Sequence, residues 1–326
     1  MADGYQRELE VAIEAVCEAA RLCRTVQQQT SAGKLEKDDR SPVTVADFGS
    51  QALVCRRLKQ AFASDPIIAE EDSAELRKAE REAVLAEVAG HVARLVPGAE
   101  PLQVCDWIDG GNAGEYSDRF WTLDPIDGTK GFLRGEQYAV ALALIVDGTI
   151  QVAALACPNL PTSAGGDTIG SVFTAIRGGP ARVRPIDGNG EAVEIRASDL
   201  ADVTGARLCE SVEKKHSAHG KSGQLIERLS ISGEPVRIDS QAKYATVARG
   251  EADVYLRLPT RPDYREKIWD HAAGVLVVEA AGGKVTDVNG RTLDFTRGQA
   301  LTENAGVIVT NGKLHDVILE GLAQLA

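Results

Sequence analysis

The sequence lacks the cysteine patterns that organise disulfide-linked or zinc-binding proteins. Its six cysteines are scattered over 326 residues, with no Cys-x-x-Cys motif and no pairing of cysteine with histidine: Cys17, Cys23, Cys55, Cys105, Cys157 and Cys209. Disulfide bonds and a zinc site therefore have little support, and the pattern favours a reducing, cytoplasmic setting.

Positive charge is scarce as well. The chain has 36 Lys and Arg residues against 48 Asp and Glu, which gives a net charge of −12. Such an acidic surface repels polyanions, so a nucleic-acid polymer is not an expected partner. A small anionic substrate is still compatible with this charge if cations are concentrated locally.

Long apolar runs are also missing. The longest, residues 138–146, has the length of a buried strand and not of a membrane span. No secretory signal is visible near Met1, and the first predicted helix is too acidic for an organellar transit peptide. No membrane partner is expected, and with 44% apolar residues the chain can bury a substantial core.

Apolar spacing predicts alternating helices and strands, which indicates a layered α/β architecture. Helices are predicted over 8–28, 48–62, 74–96, 220–229, 241–249 and 270–281, and strands over 67–69, 120–123, 139–146, 150–156, 171–177, 207–210, 235–238, 254–258 and 306–309. The Gly-rich segment Gly110–Gly114 predicts a flexible surface loop. A domain boundary is expected between Pro161 and Ser198, dividing the chain into 1–197 and 198–326.

The hexapeptide Asp124-Pro125-Ile126-Asp127-Gly128-Thr129 is the most informative motif. Two carboxylates stand three residues apart, with a backbone carbonyl between them and a hydroxyl after them. Divalent cations prefer such oxygen ligands, and a phosphate prefers the exposed N–H groups of such a turn. An ordinary polar turn is the alternative. The spacing and the proline disfavour a covalent aspartyl-phosphate mechanism.

Three further acidic positions lie next to predicted element boundaries. Glu70 is the first of three acids that follow a short apolar strand, where solvated surface charge is the alternative. Asp47 also fits a capping box with Thr44, and Asp270 fits the cap of the helix that follows it. Together with the hexapeptide they offer five acids in four segments, the kind of set that two-metal hydrolysis requires.

Informative positive charge is concentrated in the second half of the chain: Lys214, Lys215, His216, Lys243, Arg257, Arg261, Arg265 and Lys267. Arg257 stands out because it interrupts the apolar stretch 254–258. An arginine there suits bidentate capture of a phosphate. The alternative is an outward-facing residue on an edge strand.

These residues resemble the inositol monophosphatase superfamily of lithium-sensitive, magnesium-dependent phosphatases. The resemblance is carried by Asp47, Glu70 and the runs 121–132 and 268–274. Within the superfamily the sequence is most similar to the 3'(2'),5'-bisphosphate nucleotidases, through the runs 131–138, 211–217, 239–244 and 252–257. The resemblance extends over nearly the whole chain.

The resemblance implies a fold and a set of site residues. The fold would be the αβαβα sugar-phosphatase type, with an antiparallel N-terminal sheet and a smaller mixed C-terminal sheet. Two or three Mg²⁺ ions per site would be bound by Glu70, Asp124, the Ile126 carbonyl, Asp127 and Asp270. Asp47 and Thr129 would orient and deprotonate the attacking water, and Gly128 and Thr129 would hold the scissile phosphate through their N–H groups. The AMP portion would be positioned by His216, Ser240, Lys243, Arg257 and Asp270.

The resemblance also implies an activity. The expected reaction removes the 3'-phosphate of 3'-phosphoadenosine 5'-phosphate (PAP) by metal-activated water, without a phosphoenzyme, and its sulfated analogue (PAPS) is a further expected substrate. An inositol polyphosphate 1-phosphatase and a non-catalytic nucleotide sensor are the alternatives. A monomer that binds a small bisphosphonucleotide is expected, and Glu71 is left open as a ligand in place of Glu70.

Overall fold

The computed structural model describes residues 2–31, 41–188, 190–212, 220–259, 261 and 263–325. These residues contain two β-sheets, nine α-helices and three short 3-10 helices. The helices are α1 (Gln6–Ser31), α2 (Ser41–Ala61), α3 (Glu82–Ala93), α4 (Pro101–Asp109), α5 (Thr129–Arg134), α6 (Lys221–Arg228), α7 (Ala242–Ala248), α8 (Ala272–Ala280) and α9 (His315–Ala323). The strands are β1 (Ile67–Ala69), β2 (Arg119–Asp127), β3 (Ala139–Val146), β4 (Thr149–Pro161), β5 (Ile169–Ile176), β6 (Arg182–Pro185), β7 (Val193–Glu194), β8 (Leu208–Glu210), β9 (Val236–Arg237), β10 (Val254–Arg257), β11 (Lys284–Thr286) and β12 (Val307–Thr310).

The larger sheet follows the order of the chain, β1 to β7. Its first two strands are parallel, and every later pair is antiparallel. The smaller sheet has the order β11-β12-β10-β8-β9 and mixes parallel with antiparallel pairs. The predicted antiparallel and mixed sheets are both present.

Three hydrophobic cores hold the five layers together, and the second of them surrounds the middle helical layer. One core lies between α1, α2 and the larger sheet, the second between the two sheets around α7 and α8, and the third between the smaller sheet and α6 and α9. Side chains of β3 alternate between the first two cores: Leu142 and Leu144 face α1 and α2, whereas Ala141 and Ala143 face α8. The αβαβα layering expected from the sequence is confirmed.

The start of α2 differs from the prediction. The helix begins at Ser41 and not at Phe48, so Asp47 lies inside it and Thr44 is not its N-cap. Pro42 concealed this start, although proline is tolerated in the first turn because its missing N–H would have no partner there. The capping interpretation of Asp47 is therefore wrong.

The prediction of a flexible loop at Gly110–Gly114 is also wrong. This segment lies along the free edge of β1, where the Ala69 N–H donates to the Gly111 carbonyl (2.9 Å) and the Ala113 N–H to the Ile67 carbonyl (3.0 Å). A Cβ on Gly111 would come within 2.8 Å of the Ala69 Cβ. Glycine therefore serves here for close backbone approach.

The proposed division into 1–197 and 198–326 stays a prediction. It falls in the interval between Glu194, where the larger sheet ends, and Leu208, where the smaller sheet begins.

His315 predicts a pH-dependent part of the stability. Its ring is buried between the hydroxyls of Thr286 (2.9 Å from Nε2) and Thr310 (3.0 Å from Nδ1). Burial and Lys284 lower its pKa to about 4, whereas the unfolded chain protonates near pKa ~6.5. The unfolded state therefore takes up the proton first as the pH falls, and stability decreases by up to about 1.4 kcal/mol per pH unit between these values.

The variant His315→Gln cannot titrate at this position and isolates the effect. Urea unfolding at pH 6.5 and pH 5 should show a larger loss of unfolding free energy for the wild type than for the variant. Equal losses would contradict the assignment.

Candidate active site

A β-bulge at the end of β2 places two aspartates on one face of the sheet. Asp124 pairs with Ala141 and Asp127 with Ala139, so three steps along β2 match two along β3. Residues three apart on a regular strand face opposite sides. The extra residue therefore turns both carboxylates toward the face that carries Ala139 and Ala141.

The chain turns sharply after Asp127. Gly128 has a φ of +90°, in the left-handed region that glycine adopts without strain, and α5 begins at Thr129. A Cβ on Gly128 would lie 2.7 Å from the Ser240 Cβ. The hexapeptide and the loop before α7 thus meet in close contact, which requires glycine at this position.

Glu70 reaches the same region from the neighbouring strand. The parallel register pairs Ala69 with Leu123, so Glu70 follows beside Asp124. Its side chain is exposed to the cleft that it lines together with Glu71. Burial, followed by repulsion from Glu71 and Asp127, raises the pKa of Glu70 to about 7.

Asp47 approaches from the helical layer. It is 5% exposed, and burial followed by the charges of Glu71 and Glu70 raises its pKa well above the ordinary value. One turn further along α2, Ser50 donates a hydrogen bond to the Pro125 carbonyl (2.9 Å). The bulge and the helix that carries Asp47 are therefore tied together.

Asp270 lies in the turn before α8, on the opposite side of the site. Burial raises its pKa to about 7, with Asp127 and Glu70 acting in the same direction against His271 and Arg257. Sequence-distant acids thus converge as predicted.

Asp124 lies at the centre of this acidic group. It is 2% exposed, and burial and then four other carboxylates raise its pKa well above the ordinary value: Asp127, Glu70, Asp270 and Asp47. Its Oδ1 atom is buried without a hydrogen-bond partner among the described residues. Clustered oxygen donors that repel one another suit hard divalent cations, so the residues fit the expected metal.

Cationic and polar side chains, here called the cationic wall, line part of a cavity of about 390 Å³ next to the acidic group. Ser240, Lys243 and Arg257 line it together with Asp127 and Asp270, and Gly128 and Thr129 contribute as well. Lys243 is 5% exposed, and burial lowers its pKa against the pull of Asp127.

Five predicted site residues are not among the described residues that line this cavity, and two of them, Asp47 and Asp124, are buried behind it. His216 lies outside the described residues. The side chain of Ile126 is buried in the core beneath the bulge, and its carbonyl remains a predicted ligand. Glu70 and Glu71 both line a second cavity of about 900 Å³, so their geometry does not choose between them.

Two glutamines that the sequence interpretation missed hold the acidic segments. Gln241 donates its backbone N–H to the Asp127 carboxylate, while its side chain binds the Trp269 carbonyl (2.9 Å) and the Gly274 N–H (3.1 Å). Gln51 accepts from the Glu71 N–H (3.0 Å) and donates to the Ile108 carbonyl (3.0 Å). Glutamines at these positions carry no visible signal because their partners are distant in sequence.

Among the described residues, Glu266, Asp270 and His271 place one potential ligand atom each within 4.8 Å of one another. Only Asp270 belongs to the predicted ligand set. Glu266 and His271 are already engaged with each other and with neighbouring side chains.

The chain belongs to the inositol monophosphatase family, whose model matches residues 5–326. Similar solved structures include an inositol monophosphatase from Anabaena (21% identity, TM-score 0.64, covering 98% of this chain and 96% of that one). An IMPase of Thermotoga maritima is similar to the same degree (21% identity, TM-score 0.63, 98% of both chains). At this level of identity, the similarity to these structures concerns the fold alone.

More similar relatives carry the name 3'(2'),5'-bisphosphate nucleotidase. The protein from Emericella nidulans is 42% identical over 99% of both chains. Those from Oryza sativa (44%, covering 98% of this chain and 94% of the relative) and Schizosaccharomyces pombe (40%, 98% and 96%) are comparable. No helix within the described ranges has the length and apolar character to cross a membrane.

Crowded carboxylates predict that Asp124→Asn stabilises the metal-free protein at alkaline pH. A carboxyl whose pKa is raised on folding keeps its proton longer in the folded state, so its ionisation lowers stability as the pH rises from about 4 through the folded pKa. The amide removes this charge.

Urea unfolding in EDTA at pH 8 and pH 5 measures the effect. The variant should gain stability relative to the wild type at pH 8 and gain less at pH 5. An equal difference at both pH values would contradict the repulsion. Asp316→Asn, on the exposed side of α9, is the control for an aspartate remote from the site.

Proposed function

We propose that this protein removes the 3'-phosphate from PAP, giving AMP and inorganic phosphate, and that it also acts on PAPS. One observation carries the proposal: Asp127 and Asp270, two members of the crowded acidic group around Asp124, line the same cavity as Lys243 and Arg257. The acids suit the metal-assisted hydrolysis of one phosphate, and Lys243 and Arg257 suit a second phosphate. The names of relatives 40–44% identical to the chain support the same substrate.

The acidic group around Asp124 would hold Mg²⁺ ions through Glu70, Asp124, Asp127, Asp270 and the Ile126 carbonyl. Bound there, two or three such ions would lower the pKa of water and offset the negative charge that develops on the phosphate. Glu71 is the alternative to Glu70.

Asp47 and Thr129 would orient the attacking water. Asp47 is buried beside the other acids of the site, and its carboxylate would accept the proton of the attacking water. Water would add to phosphorus opposite the 3'-oxygen, which leaves with its bonding electrons and takes up a proton from solvent. The N–H groups of Gly128 and Thr129 would hold the phosphate oxygens during the transfer.

The cationic wall would bind the phosphate that is not cleaved. Lys243 and Arg257 line the cavity with Ser240 and Asp270. His216 completes the predicted nucleotide contacts. We infer a monomeric, cytoplasmic enzyme whose residues 1–197 carry most metal ligands, while residues 198–326 carry the nucleotide contacts and Asp270.

The test is phosphate release in Mg²⁺ from PAP, PAPS and inositol 1,4-bisphosphate, supplied separately and in competition. PAP should give the highest kcat/KM and EDTA should abolish release. Preferential turnover of the inositol bisphosphate would identify an inositol polyphosphate 1-phosphatase. Binding of PAP without release would identify a nucleotide sensor.

Thr129→Ala should lower kcat for PAP by at least about 100-fold, because a hydroxyl that orients the attacking water is lost. Thr129 is exposed, so this substitution should leave thermal unfolding in EDTA unchanged. Near-normal kcat in the variant would refute the assigned role. Thr296→Ala, on an exposed turn outside the cavity, is the matched control.

A further inference from the structure

Glu266 is a buried acid that the proposed chemistry does not use. Its side chain is 4% exposed. Its backbone carbonyl accepts from the Leu301 N–H (2.9 Å), and the next residue, Lys267, forms an antiparallel bridge with Ala300. The carboxylate is therefore presented from a fixed segment of backbone between β10 and α8.

The Glu266 carboxylate binds Arg257, one of the two cations of the cationic wall. Arg257 Nε lies 3.2 Å from both Glu266 oxygens. The two terminal nitrogens of Arg257 have no protein hydrogen-bond partner within the described parts of the chain, and the side chain is 42% exposed at the cavity. Because the guanidinium is a rigid planar fork, fixing its Nε edge also fixes the direction of its outer edge.

A second contact leads from Glu266 toward the other cation. Glu266 Oε2 lies 3.3 Å from His271 Nε2, and His271 Nδ1 lies 2.6 Å from the Tyr244 hydroxyl. The Tyr244 ring meets Tyr255 edge-to-face at 5.4 Å, and Lys243 Nζ lies 5.1 Å above the Tyr255 ring. Space around Tyr244 is tight, since a Cβ on Gly274 would lie 2.3 Å from its ring.

We propose that Glu266 is a positioning residue for substrate recognition. It aims Arg257 directly, and Lys243 through His271, Tyr244 and Tyr255, at the phosphate that is not cleaved. This inference rests on the proposed function. A purely structural ion pair would instead affect every substrate alike.

Glu266→Gln keeps the shape of the side chain but removes its charge and turns an amide donor toward a neighbour that can only donate. Kinetics with PAP and with 3'-AMP, which has the scissile phosphate but lacks the second one, separate positioning from general damage. For PAP, kcat/KM should fall about tenfold or more through KM, the size expected for a disturbed charged hydrogen bond. The loss with 3'-AMP should be at least fivefold smaller.

Three further variants sharpen the test. Glu266→Asp keeps the charge and should recover part of the lost kcat/KM for PAP. In an Arg257→Ala background, Glu266→Gln should cost clearly less than it does in the wild type, because its direct partner is gone and only the indirect route to Lys243 remains. Glu279→Gln breaks a remote pair with Arg177 (3.0 Å) and should spare the ratio between the two substrates.

Equal losses on both substrates, or full additivity with Arg257→Ala, would overturn the positioning role. If Glu266→Gln does not fold, Glu266→Asp decides by the same ratio. Failure of the proposed function has a different signature, because the wild type would then not hydrolyse PAP.

Discussion

Mutual repulsion of buried carboxylates is the constraint on which the rest of this structure depends. Burial and four neighbouring acids all disfavour ionisation of Asp124. Such a group is costly to hold together, because each charge loses water and gains a like-charged neighbour. Covalent continuity supplies only part of the restraint, since the acids come from α2, the residue after β1, β2 and the turn before α8. The remainder must come from tertiary contacts.

Those tertiary contacts are hydrogen bonds between the segments that carry the acids. Ser50 ties α2 to the bulge of β2, Gln51 holds the segment after β1, and Gln241 links Asp127 to the turn that carries Asp270. Each is buried and each bonds to backbone, so each resists the separation that repulsion favours. The layered fold matters because α8 lies between the two sheets and brings Asp270 to the larger one.

The cationic residues Lys243 and Arg257 lie beside the acidic group but do not neutralise it. Lys243 is buried and shares the cavity with Asp127, yet the pKa of Lys243 is lowered and not raised. Arg257 is tethered on one edge by Glu266 and open on the other. The cavity therefore keeps the charges of Asp127 and Asp270 separate from those of Lys243 and Arg257, which fits a substrate with two phosphates in different chemical roles.

The layered fold could be predicted from the sequence, and so could the acids that the fold brings together, whose catalytic and metal-binding roles stay predictions. The contacts that support these acids could not be predicted. The hexapeptide is informative because turn formation alone does not require two acids and a threonine at those positions. The alternative interpretation of Asp47 as part of a capping box was open only because Pro42 concealed the true start of α2. The Gly110–Gly114 segment was misread because glycine for close approach and glycine for flexibility look alike in sequence. Glu266 could not be distinguished in the sequence from an ordinary surface acid, because only the tertiary fold brings its partners to it.

Calorimetric titration of Mg²⁺ into the chelator-treated protein tests the central claim most directly. If the crowded carboxylates form a metal centre, the wild type should bind at least two ions per chain. Asp124→Asn should weaken binding by about tenfold or more, because it removes a charged ligand at the centre of the group. The control Asp316→Asn should bind as the wild type does. Wild-type protein that binds no Mg²⁺, or an Asp124→Asn variant that binds it equally well, would contradict the account.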